Sequence, residues 1–295
     1  GKIMDDSNMV DRYLSAIASS SCSLALRWQQ GKFLGGGAFG SVWIAIELET
    51  GDVFAVKEIR YNNTLESVAR AVRDEVTVLQ QLQHPNIVVY HGVEVRRDRL
   101  CIFMEYCPHS MDKLLKIGRV TEEFIVRVFA KQMLAGLEYL HGKGIAHRDV
   151  KPGNILIDNE GFIKFVDFGV SKIYKPQARA RAVVDAHPRT LVGTPQYIAP
   201  EIITGEEPGE TGAQDMWSLG CVLVEMLTGS KPWGVVDNDW AVMYHIGTGG
   251  GHPALPAADL LSPAGCDFLM QCFTRRAPDR PTASQLLQHP WVCDV

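Results

Sequence analysis

Hydrophobic and polar positions alternate in short runs over the early part of the chain and follow a longer period over the rest. The β-branched and apolar runs of the early part predict strands, and one longer stretch predicts a helix. The predicted strands cover residues 32–34, 41–46, 53–59, 87–95 and 100–106, and the predicted helix covers residues 64–82. Residues 1–27 are rich in serine and alanine and weakly patterned, which indicates an N-terminal extension or linker.

The rest of the chain carries the longer period, which predicts helices. Residues 121–141 form a long periodic stretch with Thr121 as a plausible N-cap. Residues 215–227 are apolar nearly all round, which predicts a helix buried in a core. Ser262-Pro263 and Pro281-Thr282 each predict the start of a further helix. The pattern therefore predicts an α+β fold with a small β-rich lobe and a larger α-helical lobe.

Length and composition narrow the class of protein. A chain of 295 residues fits two packed lobes, which we expect to be joined by a hinge at residues 105–108. A hydrophobic content of 46% with 21% charged residues excludes a disordered protein. The net charge of −5 argues against a general nucleic-acid binder. No apolar run approaches the ~18 residues that a membrane span needs.

Cysteine usage and the N-terminus bear on location. The seven cysteines form no C-x-x-C pair and no His/Cys metal spacing, which is typical of reduced thiols in the cytosol. The first 23 residues carry three aspartates and no continuous apolar core, so they do not predict a secretion signal. We therefore expect a cytoplasmic protein. Because the chain begins with Gly1 and not with Met, we also expect a fragment whose regulatory region lies elsewhere.

A glycine-rich segment at residues 35–42 fits the pattern G-x-G-x-x-G-x-V. Glycines there let backbone amides approach phosphate oxygens without interference from a Cβ atom. A plain hairpin turn and a dinucleotide-binding turn are the alternatives. The dinucleotide-binding turn requires a helix after the last glycine, whereas residues 41–46 are β-branched and aromatic and predict a strand. We therefore interpret the segment as a flap between two antiparallel strands.

Lys57 lies on the apolar side of a predicted strand, which it shares with Ala55 and Ile59. A buried ammonium is costly unless an anionic group meets it. Glu75, on the predicted helix that follows, borders the inward-facing apolar stripe of that helix. We expect a buried Lys57–Glu75 ion pair; the alternatives are an exposed edge-strand lysine and a solvated helix carboxylate.

The densest group of polar residues runs from His147 to Asp167. Asp149, Asn154 and Asp167 flank a segment with a predicted hairpin turn at residues 158–161, which brings the ends of the segment together. Aspartate and asparagine oxygens are ligands that Mg²⁺ prefers. Any one of these residues could instead cap a turn, but their combination predicts a magnesium and phosphate site.

These motifs, in this order, resemble a eukaryotic protein kinase over residues 28–292. The resemblance implies an N-lobe at 28–104, a hinge at 105–108 and a C-lobe at 109–292. It implies ATP and Mg²⁺ as cofactors, with Asp149 accepting the proton of the substrate hydroxyl, Lys151 steadying the γ-phosphate, and Asn154 and Asp167 ligating the metal. It also implies that Glu201 pairs with Arg280 and that Asp215 anchors the catalytic loop.

The same resemblance implies an ATP site that draws on both lobes. Lys57, held by Glu75, would contact the α- and β-phosphates, and the adenine would lie between Val42, Ala55 and Leu156 beside Met104. The residues implied to bind ATP are Leu34, Gly35, Gly37, Gly40, Val42, Ala55, Lys57, Met104, Glu105, Cys107, Leu156 and Asp167.

Lys151 and the segment Gly193-Thr194-Pro195-Gln196-Tyr197 resemble the Ser/Thr branch. Residues 27–33, 55–60 and 102–107 are similar to MAP kinase kinase kinases of the fungal osmostress type. That likeness implies a MAP kinase kinase as substrate, and an upstream activator or regulatory N-terminal region as partner. Another STE-like kinase subfamily and a nucleotide-binding pseudokinase or scaffold stay open as alternatives. The intact set of catalytic residues favours an active enzyme.

Two threonines are candidate regulatory residues. Thr190 precedes Gly193 by three positions, where the resemblance implies an activating phosphate that Arg148 would bind. An unmodified loop threonine is the alternative. Thr194 is expected to be structural, with its hydroxyl bonded to Asp149 and Lys151.

Overall fold

The computed structural model describes two compact units of the chain. The described residues are 27–37, 40–60, 80–96, 99–167, 172–173, 194–234, 238–249 and 251–293. The first unit is Gly1–Cys107 and the second is Pro108–Val295, so the division between them falls within residues 105–108.

The first unit is built on one antiparallel sheet of five strands in the order β1-β2-β3-β5-β4. Its strands are β1 (Trp28–Gly37), β2 (Gly40–Glu47), β3 (Val53–Arg60), β4 (Tyr90–Val95) and β5 (Arg99–Glu105). All five coincide with predicted runs, although β4 begins three residues later than its run. The core of this unit contains Ala45, Val56, Cys101 and Phe103, which are all fully buried. Trp28 packs edge-on against Phe103, so the start of β1 is fixed to this core.

The second unit is mainly helical. Its helices are α1 (Met111–Ile117), α2 (Glu123–Gly142), α3 (Pro200–Thr204), α4 (Ala213–Thr228), α5 (Asp239–Thr248), α6 (Pro263–Cys272), α7 (Ala283–Leu287) and α8 (Pro290–Cys293). Its strands are β6 (His109–Ser110), β7 (Ile145–Ala146), β8 (Ile155–Ile157), β9 (Ile163–Phe165) and β10 (Lys172–Ile173). Strands β6, β8 and β9 form one small antiparallel sheet, and β7 pairs with β10. Within the described ranges, no helix is long and apolar enough to cross a membrane.

Helix starts follow local capping chemistry, with one exception to the predictions. The Ser262 hydroxyl accepts from Gly265 N at the start of α6, and Thr282 forms a capping box with Gln285 at the start of α7. The prediction of Thr121 as an N-cap is wrong, because α2 begins at Glu123 with Glu122 as its N-cap. The segment before α2 is held elsewhere, since Val120 N donates to Met226 O over 2.9 Å.

Helix α4 is the core of the second unit, as its sequence predicts. Of its residues only Gln214 and Thr228 are not buried, and Trp217 is among the largest fully buried side chains. The helix begins after Gly212, which has a φ of +84°. A Cβ atom there would lie 2.0 Å from His141 Nε2, so only glycine fits between the end of α2 and the start of α4. This close approach sets the position of Asp215 in the first turn of α4.

Candidate active site

The glycine-rich segment joins two antiparallel strands, as predicted. Gly35 pairs with Val42, Gly36 with Ser41 and Gly37 with Gly40, and residues 38–39 lie outside the described part. Gly40 has a φ of +142°, and a Cβ atom there would lie 2.2 Å from Glu58 O. The chain therefore requires glycine where β2 begins beside β3, and the dinucleotide-binding alternative is excluded because a strand follows.

Lys57 lies in a central strand and is 7% exposed. It pairs with Val42 on one side of β3 and with Ile102 on the other. The alternative of an exposed edge-strand lysine is therefore wrong. Glu75, its predicted partner, lies outside the described residues. The neighbouring Glu58 is also buried, and its carboxylate accepts from Arg99 Nη1 over 3.3 Å.

Asp215 anchors the loop that contains Asp149. Its carboxylate accepts from His147 N over 2.9 Å and from Arg148 N over 2.8 Å, and it lies 2.8 Å from His141 Nε2. Burial alone would raise the pKa of Asp215, but the hydrogen bond and charge of His141 and the backbone hydrogen bond from Arg148 hold that pKa below its usual range. The ionised carboxylate stabilises a strained loop, since Arg148 has a φ of +70°.

Asp149 is held by two side chains of its own loop. Asn154 Nδ2 donates to Asp149 O over 2.9 Å and to Asp149 Oδ2 over 2.8 Å. Lys151 Nζ lies 2.7 Å from the same Oδ2 and donates to Thr194 Oγ1 over 2.9 Å. Within the described part of the chain, the Thr194 hydroxyl is bonded to Lys151 and not to Asp149. The predicted bond between Thr194 and Asp149 is therefore wrong. The Lys151 ammonium lies between the two side chains and bonds to each of them.

The β8–β9 hairpin brings Asp167 back to this loop. Asp158 Oδ1 accepts from Glu160 N and Phe162 N over 2.9 and 2.8 Å, which closes the predicted turn. At the other end of the hairpin, Val166 N donates to Asn154 O over 3.1 Å. Asp167 follows with a φ of +66°, a region that non-glycine residues seldom adopt. Asn154 thus connects the other two residues: its side chain bonds Asp149, and its carbonyl oxygen bonds the amide of Val166, which precedes Asp167. These bonds form one path from Asp149 to Asp167.

His147 connects the two sides of this path. Its Nδ1 accepts from Asp149 N over 3.3 Å, and its Nε2 lies 3.1 Å from Val166 O. An Nδ1 atom that accepts is unprotonated, so the ring is the neutral tautomer that donates from Nε2. Burial lowers the pKa of His147 despite the nearby carboxylates, which favours the same neutral form. The ring fixes Asp149 without adding charge.

These oxygen donors are suited to a hard divalent cation. Asp149, Asn154 and Asp167 present carboxylate and amide oxygens and no sulfur or imidazole nitrogen, which matches the preference of Mg²⁺. Asn154 donates both of its contacts to Asp149 from Nδ2. The amide oxygen therefore points away from Asp149, the orientation that a metal ligand needs.

A hydrogen-bonded network around buried Tyr197 and Glu225 orients the segment after Thr194, and no local sequence signal predicts it. Tyr197 Oη donates to Glu225 Oε2 over 2.5 Å, and Lys231 Nζ lies 3.0 Å from the phenol oxygen and 2.7 Å from Glu225 Oε1. Burial and the Glu225 carboxylate raise the pKa of Tyr197, so the phenol remains a donor. Ser218 Oγ also donates to Tyr197 O over 2.7 Å. The segment is therefore attached to helix α4.

Helix α3 is fixed by the predicted Glu201–Arg280 pair. Arg280 Nη1 and Nη2 donate to the two carboxylate oxygens over 2.8 and 3.0 Å, and both side chains are buried. A small depression, open to solvent and with room for about one water molecule, lies between this helix and the catalytic loop. Its lining includes Arg148, Asp149, Thr194, Tyr197, Ile202 and Ser218.

The predicted ATP-binding residues divide between the two units. In the first unit, β1 contains Leu34, Gly35 and Gly37, β2 contains Gly40 and Val42, β3 contains Ala55 and Lys57, and β5 contains Met104 and Glu105. Cys107 is the last residue of this unit. In the second unit, Leu156 lies in β8 and Asp167 follows β9. Ala55 pairs with Met104 across the sheet, and Glu105 N donates to Val89 O over 2.8 Å. Thr190 lies outside the described residues.

Comparisons with known proteins identify the family. The chain is 45% identical over 304 residues to MAP kinase kinase kinase wis4 of Schizosaccharomyces pombe, covering 100% of this chain and 21% of that protein. It is 44% identical over 308 residues to serine/threonine-protein kinase SSK22 of Saccharomyces cerevisiae, covering 100% of this chain and 23% of that protein. The chain thus spans about a fifth of the length of these relatives. The family model described as protein kinase domain matches residues 28–292. Since that match covers most of the chain, the chain belongs to the protein kinase domain family.

Proposed function

We propose that this chain is the catalytic domain of a Ser/Thr protein kinase that transfers the γ-phosphate of ATP to a hydroxyl of a MAP kinase kinase. The observation that carries the proposal is the group of contacts around Asp149, in which Asn154, Lys151 and the Asp215-anchored backbone fix one carboxylate. Phosphoryl transfer needs little covalent help from a protein, so positioning and neutralisation of charge account for most of the catalysis.

Each residue of this group has a defined task in the reaction. Asp149 accepts the proton of the substrate hydroxyl as that oxygen bonds to the γ-phosphorus, while the bond from this phosphorus to the bridging oxygen breaks and ADP leaves. Lys151, held between Asp149 and Thr194, neutralises charge that develops on the transferred phosphoryl group. Asn154 and Asp167 would hold Mg²⁺, which when bound neutralises the phosphate oxygens. His147 keeps the loop and the end of the hairpin together without competing for the proton.

The nucleotide site is proposed on the residues that the resemblance to protein kinases implies. We infer that the backbone at Gly35, Gly37 and Gly40 covers the phosphates, and that Lys57 contacts them while it is paired with Glu75. Leu34, Val42, Ala55 and Leu156 would contact the adenine beside Met104. The backbone of Glu105 and Cys107 would bind its polar edge. The burial of Lys57 supports this role, since an ammonium in that position needs an anion.

The place in a signalling cascade rests on likeness to other proteins. Three fungal relatives, which are 45%, 42% and 41% identical to this chain, carry the name MAP kinase kinase kinase. We infer that the substrate is a MAP kinase kinase in a stress cascade of the osmosensing type. We also infer that the protein works in the cytoplasm. An upstream activator or a regulatory N-terminal region would control it.

We infer that Thr190 is the activating phosphorylation site. A phosphate there would require a cationic partner, and Arg148 lines the depression beside Asp149. Replacing Thr190 with Ala is expected to lower activity severalfold, with Thr190→Ser as the matched control that keeps a phosphorylatable hydroxyl. Equal specific activity of the wild type and the alanine variant would contradict this role.

The decisive experiment measures γ-phosphate transfer from Mg-ATP to a catalytically inactive MAP kinase kinase. The wild-type chain is compared with Asp149→Asn and with Asp112→Asn, which changes a partly exposed carboxylate in α1 of the same unit. We expect transfer by the wild type and by Asp112→Asn, and a loss of at least about 1000-fold in Asp149→Asn. Transfer to a generic protein but not to the MAP kinase kinase would leave the kinase and reject the cascade. No transfer to any acceptor would favour a pseudokinase.

A further inference from the structure

Three exposed apolar side chains lie together at one end of the sheet of the first unit. Ile46, Leu48 and Val53 are 40%, 56% and 44% exposed. Ile46 pairs directly with Val53 across β2 and β3, and Leu48 follows Ile46 by two positions, so all three lie on one side of the sheet. They are three of the five large apolar side chains that are exposed in the described part of this unit. We call them the β2–β3 patch.

The β2–β3 patch is the open end of a sheet side that is otherwise covered. Ala55 and Lys57 follow Val53 along β3 in steps of two, so their side chains lie on the same side of the sheet. Both are buried, and both belong to the proposed nucleotide site. Contiguous exposed apolar side chains at the end of such a side form a candidate contact surface.

The chain that precedes β1 leaves the sheet beside this patch. Leu48 N donates to Arg27 O over 2.7 Å, so the backbone of Arg27 lies next to the patch. The following residue, Trp28, is held in place, since its Nε1 donates to Glu94 over 2.8 Å and the Arg96 guanidinium lies 4.7 Å from the centroid of its ring. The N-terminal extension therefore starts from a fixed point next to exposed apolar side chains.

The extension contains one stretch with a helical apolar period. Residues 1–26 lie outside the described part of the chain. In their sequence, apolar residues with the spacing i, i+3, i+4 and i+7 predict an amphipathic helix over residues 8–19, with Ser7 as a candidate N-cap. These apolar residues are Val10, Tyr13, Leu14 and Ile17. The seven residues 20–26 could span about 23 Å when extended, so the predicted helix can reach back to the patch.

We propose that residues 8–19 form a helix whose apolar side docks on the β2–β3 patch, so that the occupant of this surface is a segment of the same chain. A segment of the same chain is favoured because a short linker keeps it at a high effective concentration beside the patch. A helix of this length is marginal in water by itself and needs an apolar surface to pack on. The docked helix would cover the open end of the sheet side that carries Ala55 and Lys57.

Hydrogen exchange of backbone amides, measured by mass spectrometry on the full chain, tests the contact. The double variant Leu14→Glu with Ile17→Glu places two carboxylates on the apolar side of the predicted helix. The matched control, Ser15→Glu with Ser19→Glu, adds the same charge to its opposite side. We expect the amides of residues 46–53 to exchange at least about 5-fold faster in the first variant, and to change less than about 2-fold in the control.

The reciprocal variant, Leu48→Glu, changes the β2–β3 patch itself. Leu48 is more than half exposed, so we expect the sheet to stay folded. The amides of residues 8–19 should then exchange at least about 5-fold faster than in the wild type, because the predicted helix has lost its contact. Unchanged exchange of residues 8–19 would contradict the docking.

The remaining outcomes also decide the proposal. Unchanged exchange of residues 46–53 in the Leu14→Glu, Ile17→Glu variant, or an equal change in its control, would overturn it. Faster exchange at another part of the chain would place the extension elsewhere, and protection that is lost when the wild type is diluted would assign the patch to a second copy of the chain. Either result overturns the proposal. The measurement uses no nucleotide and no protein substrate, so this docking and the proposed function fail independently.

Discussion

The Glu201–Arg280 pair gives the sharpest test of how the second unit is held together. The two side chains are 1% and 0% exposed. Arg280 makes two bonds to the Glu201 carboxylate, over 2.8 and 3.0 Å. It makes three more to the carbonyl oxygens of Thr274, Ala213 and Arg275, over 2.8, 2.8 and 3.2 Å. Replacing Glu201 with Ala removes the carboxylate. The buried Arg280 guanidinium then keeps its three bonds to carbonyl oxygens but has lost the anion that balances its charge.

The magnitude follows from the two bonds that are lost. Hydrogen bonds to charged groups contribute ~1.5–3 kcal/mol each. Breaking a buried ion pair by removing one partner costs ~3–5 kcal/mol, because the remaining charge is left uncompensated. We therefore expect Glu201→Ala to lower the free energy of unfolding by ~3–5 kcal/mol. The reciprocal variant, Arg280→Ala, should cost at least as much, since it also leaves three carbonyl oxygens without this donor.

Urea denaturation followed by tryptophan fluorescence measures this loss. Trp217 is a local reporter, since its ring lies 5.3 Å from the Arg280 guanidinium. The matched control is Arg276→Ala, which breaks an ion pair of 2.7 Å whose side chains are 67% and 54% exposed. That control should change the free energy of unfolding by less than ~0.5 kcal/mol. A loss below ~1 kcal/mol in Glu201→Ala, or one equal to the control, would refute the reasoning.

Three further predictions follow from buried polar and thiol groups. Tyr197→Phe removes the hydroxyl that donates to Glu225, and we expect a loss of ~1–3 kcal/mol in urea denaturation; unchanged stability would contradict this. The lowered pKa of Asp215 stabilises the fold fully above the usual carboxyl value of about 3.9, and this contribution is lost as pH falls through the folded-state pKa. We therefore expect Asp215→Asn to have a lower free energy of unfolding at neutral pH, and one that falls less steeply as the pH is lowered. Equal slopes of the free energy of unfolding against pH in the two proteins would rule this out. Burial raises the pKa of Cys101 to about 12, so its thiol is protonated at pH 8. We expect alkylation at this pH to modify exposed Cys293 and to spare Cys101, as measured by peptide mass mapping. Equal rates of alkylation of the two cysteines in the folded protein would disprove this.

Much of the fold follows from local sequence signals. All five strands of the first unit coincide with alternating or β-branched runs, and the all-apolar pattern of residues 215–227 corresponds to the buried helix α4. The caps at Ser262 and Thr282 are visible in the sequence because the hydroxyl bonds a backbone amide only three residues away. The catalytic loop was predictable for a different reason, since its motif matches a known family.

Contacts between distant residues could not be predicted in this way. The sequence marks Glu225 as one charge within an apolar helix, but its partners Tyr197 and Lys231 depend on how the segments on either side of α4 fold back. The contact of His141 with Asp215 spans 74 positions. The prediction for Thr121 failed because a backbone bond from Val120 to Met226 delays the start of α2. The roles of Glu75 and Thr190 stay predictions.

The glycine at position 212 has a consequence for genetics. It has no side chain and lies outside the catalytic loop, yet any Cβ atom at this position would overlap the His141 ring. Displacing that ring removes one of the partners that keep Asp215 ionised, and with it the anchor of the amides that precede Asp149. In a mutational scan, substitutions at Gly212 would group with those of catalytic residues. A loss-of-function allele at Gly212 would resemble a defect in substrate binding, although its cause is a steric overlap with the His141 ring in the core.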